Sequence, residues 1–273
     1  MRVLYVAELV GKPGIFTFRK TLAAIKEEYR PDFIFGSGDG ATGGFGLGKN
    51  HGFYLHKLGL QAITLGDCAY YKKDLPPALA TMNFVLRPAN FPELSPGRGY
   101  KVFDTPVGRI GVISLLGQSG FQKSHVPSPF LTLEAVLEKI PREVKTIVVD
   151  FHAATTAEKN TLFYFADGKV SAVIGSHNKI VTADERLLPK GTAVITDAGR
   201  TGSLQSVQGF VPSKEIGRFL TSLPDRSQES WEGLAFQGVL VDIEKTGRPR
   251  SIQRIEMPCL EEPHESSGND QED

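Results

Sequence analysis

The chain is short of several features that would narrow its function. It has two cysteines, Cys68 and Cys259, far apart among 273 residues. That excludes a disulfide framework and predicts a reduced, cytoplasmic setting. It lacks an excess of either charge, with 31 Lys plus Arg against 31 Asp plus Glu. Such a balance gives no case for duplex nucleic acid or anionic lipid as the main partner, although it is compatible with a local basic patch. No stretch approaches the roughly 20 apolar residues that span a bilayer, so no membrane partner is expected. The opening run from Met1 to Val10 is broken by Glu8 and stopped by Gly11 and Pro13. It is too short for a signal h-region and has no small-x-small cleavage site. Helical and leucine-rich repeats are absent.

What is present reads as an ordinary globular protein, 40% hydrophobic and 23% charged, long enough for one large domain. Val3 to Ala7, Phe33 to Phe35 and Ala62 to Leu65 are short apolar runs and predict buried strands. Gly11-Lys12-Pro13-Gly14 reads as a break, after which Phe18, Leu22, Ile25 and Tyr29 recur at helical spacing. Gly36 to Gly48 is a glycine-dense loop, followed by a short helix over Phe53 to Leu58. Strands are expected at 84–86, 100–103, 110–115, 146–151, 170–174 and 193–196. Helices are expected at 132–140, 155–165 and 212–220. Thr155 or Thr156 with Glu158 forms an approximate capping box. Phe236 to Ile243 and Ser251 to Ile255 predict a terminal hairpin. The expected domain is 1–258, with an acidic, disordered tail over 259–273. Strands alternating with helices, followed by a strand-rich half, predict an α/β protein with more than one sheet layer.

Ligands of α/β sheets collect at the carboxyl ends of strands. Glu8, Asp39, Asp67, Cys68, His152 and His177 all fall just past, or at the end of, an apolar run, and Lys179 is two residues further on. A lone loop Asp is usually a turn or cap residue, and a lone strand-end His is usually a satisfied polar group. Their joint placement is what predicts a shared site. By contrast, Gly38-x-Gly40-x-x-Gly43 and Gly43 through Lys49 match phosphate-loop patterns only by letters. Neither sits tightly between a strand and a helix, and Asn50 replaces the required Ser or Thr. His51, His56, His125 and His264 have no ligand partner at useful spacing and are read as surface or packing residues.

Several longer stretches carry a resemblance. They are Val10-Gly11-Lys12-Pro13-Gly14, Arg87-Pro88-Ala89-Asn90-Phe91-Pro92, Asp150-Phe151-His152-Ala153 with Thr156 and Glu158-Lys159, Gly175-Ser176-His177, and Thr182-Ala183-Asp184 through Leu188-Pro189-Lys190-Gly191 to Thr196-Asp197-Ala198-Gly199. With them the chain resembles the YmdB-type branch of the calcineurin-like metallophosphoesterases, up to about Arg254. The resemblance implies a four-layer α/β/β/α sandwich, two divalent metals and phosphodiester hydrolysis, including that of cyclic nucleotides. It implies a first metal held by an Asp where this chain has Glu8, by the bridging acid Asp39, and by a histidine where this chain has Lys179. It implies a second metal held by Asp39, by an Asn where this chain has Asp67, and by His152 and His177. A histidine near the leaving group corresponds to Cys68, and an Asn after the bridging acid corresponds to Gly40.

Two readings follow. Asp39, Asp67, His152 and His177 offer two oxygen and two nitrogen ligands, a set suited to Fe, Mn or Zn. One reading is a phosphodiesterase acting on a phosphodiester or nucleotide, with a weakened centre of one metal or none, Lys179 as resident cation, and Cys68 either a proton donor or a buried filler. The other is a non-catalytic descendant that binds a nucleotide or a protein partner, or assembles with copies of itself.

Overall fold

The computed structural model describes residues 1–121 and 126–260. The first half contains β1 (Arg2–Val6), β2 (Glu8–Leu9), α1 (Gly11–Tyr29), β3 (Phe33–Ser37), α2 (Lys49–Leu58), β4 (Ala62–Thr64), α3 (Leu75–Ala78), β5 (Val85–Leu86), β6 (Tyr100–Thr105) and β7 (Gly108–Leu116). The second contains α4 (Pro129–Lys139), β8 (Thr146–His152), α5 (Thr156–Ala166), β9 (Ala172–Ser176), β10 (Arg186–Leu187), β11 (Ala193–Ile195), β12 (Arg200–Ser203), α6 (Pro212–Thr221), β13 (Leu234–Ile243) and β14 (Pro249–Pro258).

These elements form two sheets. One runs β2-β12-β13-β1-β3-β4-β5, with β14 paired to β13, and the other runs β10-β11-β9-β8-β7-β6. The strands β1, β3, β4 and β5 are mutually parallel, as are β7, β8, β9 and β11. Parallel strands are buried on both faces, which is why their sequences are unbroken apolar runs. Val3, Tyr5, Phe33 and Phe35 of the first sheet pack against Ile110, Val112, Val148 and Ile174 of the second. Phe18, Leu22, Ile25 and Leu55 cover the outer face of the first sheet. Leu133, Val136, Leu162 and Phe163 cover that of the second. The result is the expected four-layer α/β/β/α sandwich. Both sets of parallel strands deliver their carboxyl ends to one edge.

Three local readings are corrected. The α1 helix starts at Gly11, not after Gly14. Pro13 lies in its first turn, where an amide N–H has no intrahelical partner to lose. Gly14 is there for proximity, since a Cβ would lie 2.6 Å from the Thr201 carbonyl of β12. The strands β2 and β12, only two and four residues long, pair in parallel and escape detection by pattern. The capping box is half formed: Thr155 Oγ1 accepts the Glu158 N–H at 3.4 Å. The Glu158 carboxylate turns away to accept the N–H groups of Gln118 and Ser119 at 2.7 and 3.0 Å. At the other end, the Cys259 N–H still donates to the Leu234 carbonyl at 2.8 Å. The tail reading falls mostly on 261–273, outside the described residues.

Candidate metal centre

All seven strand-end residues line one cavity of about 210 Å³. Glu8 and Asp39 follow β1 and β3, Asp67 and Cys68 follow β4, His152 closes β8, and His177 and Lys179 follow β9. The first sheet therefore supplies the carboxylates and the thiol, and the second supplies the imidazoles and the ammonium.

The acids and imidazoles form a tight cluster. His152 Nε2 lies 2.9 Å from Asp67 Oδ1 and 3.8 Å from Asp39 Oδ2. His177 Nδ1 lies 3.0 Å from His152 Nε2 and 3.6 Å from Asp67 Oδ1. Asp39 is held by two backbone donors, Gly66 N–H to Oδ1 at 2.6 Å and Cys68 N–H to Oδ2 at 3.1 Å. Burial, with the neighbouring Glu8 and Asp67 carboxylates, pushes Asp39 up to about 6 against the pull of His152. Burial would lower His152, but its hydrogen bond to Asp67 and the charge of Asp39 win and raise it to about 9. Asp67 is also desolvated, yet the two imidazoles hold its carboxyl below the usual range. Burial and the surrounding carboxylates push the Cys68 thiol well up. Its Sγ lies 3.8 Å from Asp67 Oδ2.

At the other end of the cavity, Lys179 Nζ is 3.2 Å from Glu8 Oε1. Both side chains are buried. Burial works against the Lys179 charge, but Glu8 more than restores it, and the ammonium is held above its ordinary pKa. Glu8 Oε2 is buried without a hydrogen-bond partner. A Cβ at Gly40 would lie 2.7 Å from Glu8 Oε1 and 3.0 Å from the Leu9 carbonyl. The long acid at 8 and the absent side chain at 40 thus share one volume.

A buried layer holds these groups in place. His152 Nδ1 is 3.2 Å from Ser176 Oγ, and Ser176 Oγ donates to Asp150 Oδ1 at 2.7 Å. Asp150 Oδ2 accepts from Tyr5 Oη at 3.0 Å and from Thr64 Oγ1, both on the opposite sheet. Burial raises Asp150, while these hydroxyls oppose the rise. His177 and Lys179 have φ of 103° and 58°, rarely adopted by residues with a side chain. Such conformations cost about 1–3 kcal/mol each and persist when their surroundings impose them. Here Asp197 accepts the Asn178 N–H at 2.9 Å, Lys159 Nζ bridges Asn178 Oδ1 and Asp197 Oδ2 at 2.7 and 2.9 Å, and Arg200 Nη1 donates to the Lys179 carbonyl at 2.6 Å. Gly66 leaves room for the ring, since a Cβ there would lie 2.3 Å from His152 Cγ.

Sequence reasoning missed Phe45, Tyr71 and Gln208 in the cavity wall, and Phe121, whose ring lies 4.9 Å from that of His177. Nor does the sequence alone give Asp150, Ser176 or Gly66 a role. The glycine loop is structural: Gly43, Gly44 and Gly46 have positive φ, and a Cβ at Gly44 would strike the Phe210 ring at 2.3 Å. His51 pairs with Thr42 at 2.7 Å, and His56 stacks on Phe84 at 3.9 Å. His125 and His264 lie outside the described residues.

The donor set fits a divalent transition ion at one end. The ligand atoms of Asp67, His152 and His177 lie within 4.8 Å of one another, as do those of Asp39, Asp67 and Cys68. Two nitrogens with carboxylate oxygen suit Zn, Mn or Fe. At Glu8 the neighbouring charge is the Lys179 ammonium, 3.2 Å away. Among the described residues, no helix is long and apolar enough to cross a membrane.

Comparison with known proteins agrees with this architecture. The family model described as YmdB-like protein matches residues 4–255. A Bacillus subtilis protein named 2',3'-cyclic-nucleotide 2'-phosphodiesterase is 35% identical over 256 residues, covering 93% of this chain and 96% of its own. A crystal structure of a hypothetical protein from Thermus thermophilus superposes with a TM-score of 0.88 at 29% identity, covering 94% of this chain and 99% of the other. That of a Mycoplasma pneumoniae protein described as a novel phosphatase gives a TM-score of 0.86 at 29% identity, with 94% and 93% covered. With its strand-end acids and imidazoles in one cavity and a family model matched over nearly its whole length, the chain belongs to the YmdB-like family of metallophosphoesterases.

Proposed function

We infer that the protein is a phosphodiesterase that works with one divalent ion, held by Asp39, Asp67, His152 and His177, with the Lys179 ammonium as the second positive charge. The observation that carries this reading is the 3.2 Å Lys179–Glu8 pair in the same cavity as the His152–His177–Asp67 cluster. The ion would polarise a phosphoryl oxygen and activate water. The chain's residues then divide the remaining work. Lys179, held by Glu8 in the same cavity, would attract and orient the anionic phosphoryl group. Asp39, 3.8 Å from His152 Nε2, would be one of the carboxylates that hold the ion. Phe121 packs its ring against both imidazoles, 6.1 Å from His152 and 4.9 Å from His177. Cys68, its thiol pushed up by burial and the surrounding carboxylates, fills space beside Asp67. A cyclic nucleotide is the substrate class favoured by the name of the Bacillus subtilis relative.

The test is metal analysis of the purified chain together with hydrolysis of a 2',3'-cyclic nucleotide in added Mn or Fe. About one equivalent of metal per chain and turnover abolished by Asp39→Asn support the reading. Two tight equivalents rule out the one-ion centre. A second reading, a binding or assembly component without turnover, draws on one feature: both Asp39 oxygens already accept backbone N–H groups. Absence of both metal and turnover would favour it.

A further inference from the structure

Beside the acid–imidazole cavity lies a second and larger one of about 720 Å³, which the proposed reaction does not use. Its walls carry four fixed cations, Lys12, Lys72, Lys214 and Arg226, and one carboxylate, Glu229. In a chain whose formal charge is zero, this is a local positive excess. Glu229 faces the first turn of α1, with both oxygens 3.3 Å from the Lys12 N–H. The charges of Lys12, Arg226 and Lys72 converge on it. The cleft thus already holds one anionic group, and its cations outnumber that group. Lys214 also pairs with exposed Asp225 at 3.1 Å.

The two cavities share a wall. Gly43 and Lys72 line the cationic cleft, and their chain neighbours Gly44 and Tyr71 line the acid–imidazole cavity. The Lys72 ammonium stands 3.9 Å from where a Gly43 Cβ would be, so the charge lies at this boundary. Aromatic faces mark the path. Tyr71 is 53% exposed and Phe45 43%, the latter stacked on Phe210 at 5.4 Å. Trp231, 37% exposed, lines the cleft and is buttressed edge-on by Phe16 at 5.8 Å. Cations tracking a backbone, with aromatic faces between them, are the means by which proteins hold single-stranded nucleic acid without sequence preference.

We propose that the cleft is a subsite for the nucleotides that flank the scissile phosphate, so that the protein binds short single-stranded oligonucleotides across both cavities. The inference rests on the phosphodiesterase reading only for the position of the scissile phosphate. Lys72 and Arg226 take adjoining phosphates, and Trp231 stacks a base. Duplexes are not favoured, because paired bases cannot lie on these ring faces.

The test is fluorescence anisotropy of the full chain with a dye-labelled, phosphorothioate-linked oligothymidylate of about six nucleotides. Binding should weaken as salt rises. The double variant Lys72→Glu/Arg226→Glu should bind at least about tenfold more weakly, with the salt slope flattened by about 0.7 for each phosphate that is no longer neutralised. Exposed Lys57, on the outer helix α2, is the control, and Lys57→Glu should bind as the unaltered chain does. Equal binding by the double variant would overturn the proposal. So would competition by tripolyphosphate or hexaglutamate as effective as that by unlabelled oligothymidylate, because the cleft would then read charge alone. The two readings fail separately. An unaltered chain that turns over the cyclic nucleotide but does not bind the oligonucleotide overturns the subsite, and one that binds the oligonucleotide without turnover overturns the phosphodiesterase.

Discussion

Glu8 and Lys179 form a buried pair, 3.2 Å apart, at the end of the cavity where the family resemblance implies an Asp and a histidine around a metal. On the one-ion reading proposed above, the lysine ammonium takes the place of a second diffusible ion. Removing only the ammonium strands a buried carboxylate, and Lys179→Met should cost about 3–5 kcal/mol in chemical denaturation. Lys179→His should instead raise metal content from about one to about two equivalents per chain, read by elemental analysis. A variant that folds as stably as the parent after Lys179→Met would contradict the pairing.

Positions 8 and 40 are expected to be energetically coupled. Gly40→Ala places a methyl 2.7 Å from Glu8 Oε1. Overpacking of this kind costs about 1–3 kcal/mol. In a Glu8→Asp background the shorter acid withdraws, and the same substitution should cost less, with a coupling of about 0.5–3 kcal/mol in a double-mutant cycle. Additive effects would show that the two side chains do not compete for one volume.

His152 predicts a pH dependence. Its folded pKa, about 9, is above the ordinary 6.5. In the metal-free chain, the protonated ring therefore contributes stability that is fully present below 6.5 and lost as pH rises through about 9. An ion must displace that proton. Metal affinity should accordingly rise about tenfold per pH unit from neutrality, level off above the His152 pKa, and release about one proton per ion. Calorimetry in buffers of differing ionisation enthalpy measures the proton directly. A flat affinity profile would mean that His152 is not a ligand.

Cys68 and His152 should part company in activity. Cys68→Ala removes a side chain read as filling space beside Asp67, and turnover should fall by less than about threefold, within the range of packing changes. Ser176→Ala leaves His152 Nδ1 without its hydroxyl partner and should lower metal affinity about 10–100-fold. His152→Ala should abolish metal retention. Comparable losses from Cys68→Ala and His152→Ala would return the cysteine to the reacting groups.

Gly66→Ala drives a methyl into the His152 ring, 2.3 Å from Cγ. The variant should fold but lose metal binding, because the ring can escape only by leaving the Asp67–His177 cluster. Circular dichroism and elemental analysis separate the two effects.

Strand ends were legible because parallel strands are apolar throughout and stop abruptly. Glu8, Asp39, Asp67 and His152 each interrupt such a run, and their meeting follows from two sheets aligned edge to edge. The fold's four layers came from resemblance more than from periodicity. What pattern could not reveal falls into two kinds. Short elements such as Glu8–Leu9 and Arg200–Ser203 are defined by a partner strand nearly 200 residues away in sequence. Backbone conformations such as that of His177 are imposed by Asp197, Lys159 and Arg200, and nothing in the residue's own identity announces them. Glu158 was misread for a related reason: its carboxylate had two amides from a distant loop to satisfy instead of its own helix end.

Asp150 takes hydroxyls from Tyr5 and Thr64 on one sheet while resting behind Ser176 and His152 on its own. Half the cavity belongs to each sheet, so a slip of one layer past the other would part the carboxylates from the imidazoles. An ion seated between them would then act as a rivet, and amide exchange in strands remote from the cavity should slow when it is bound.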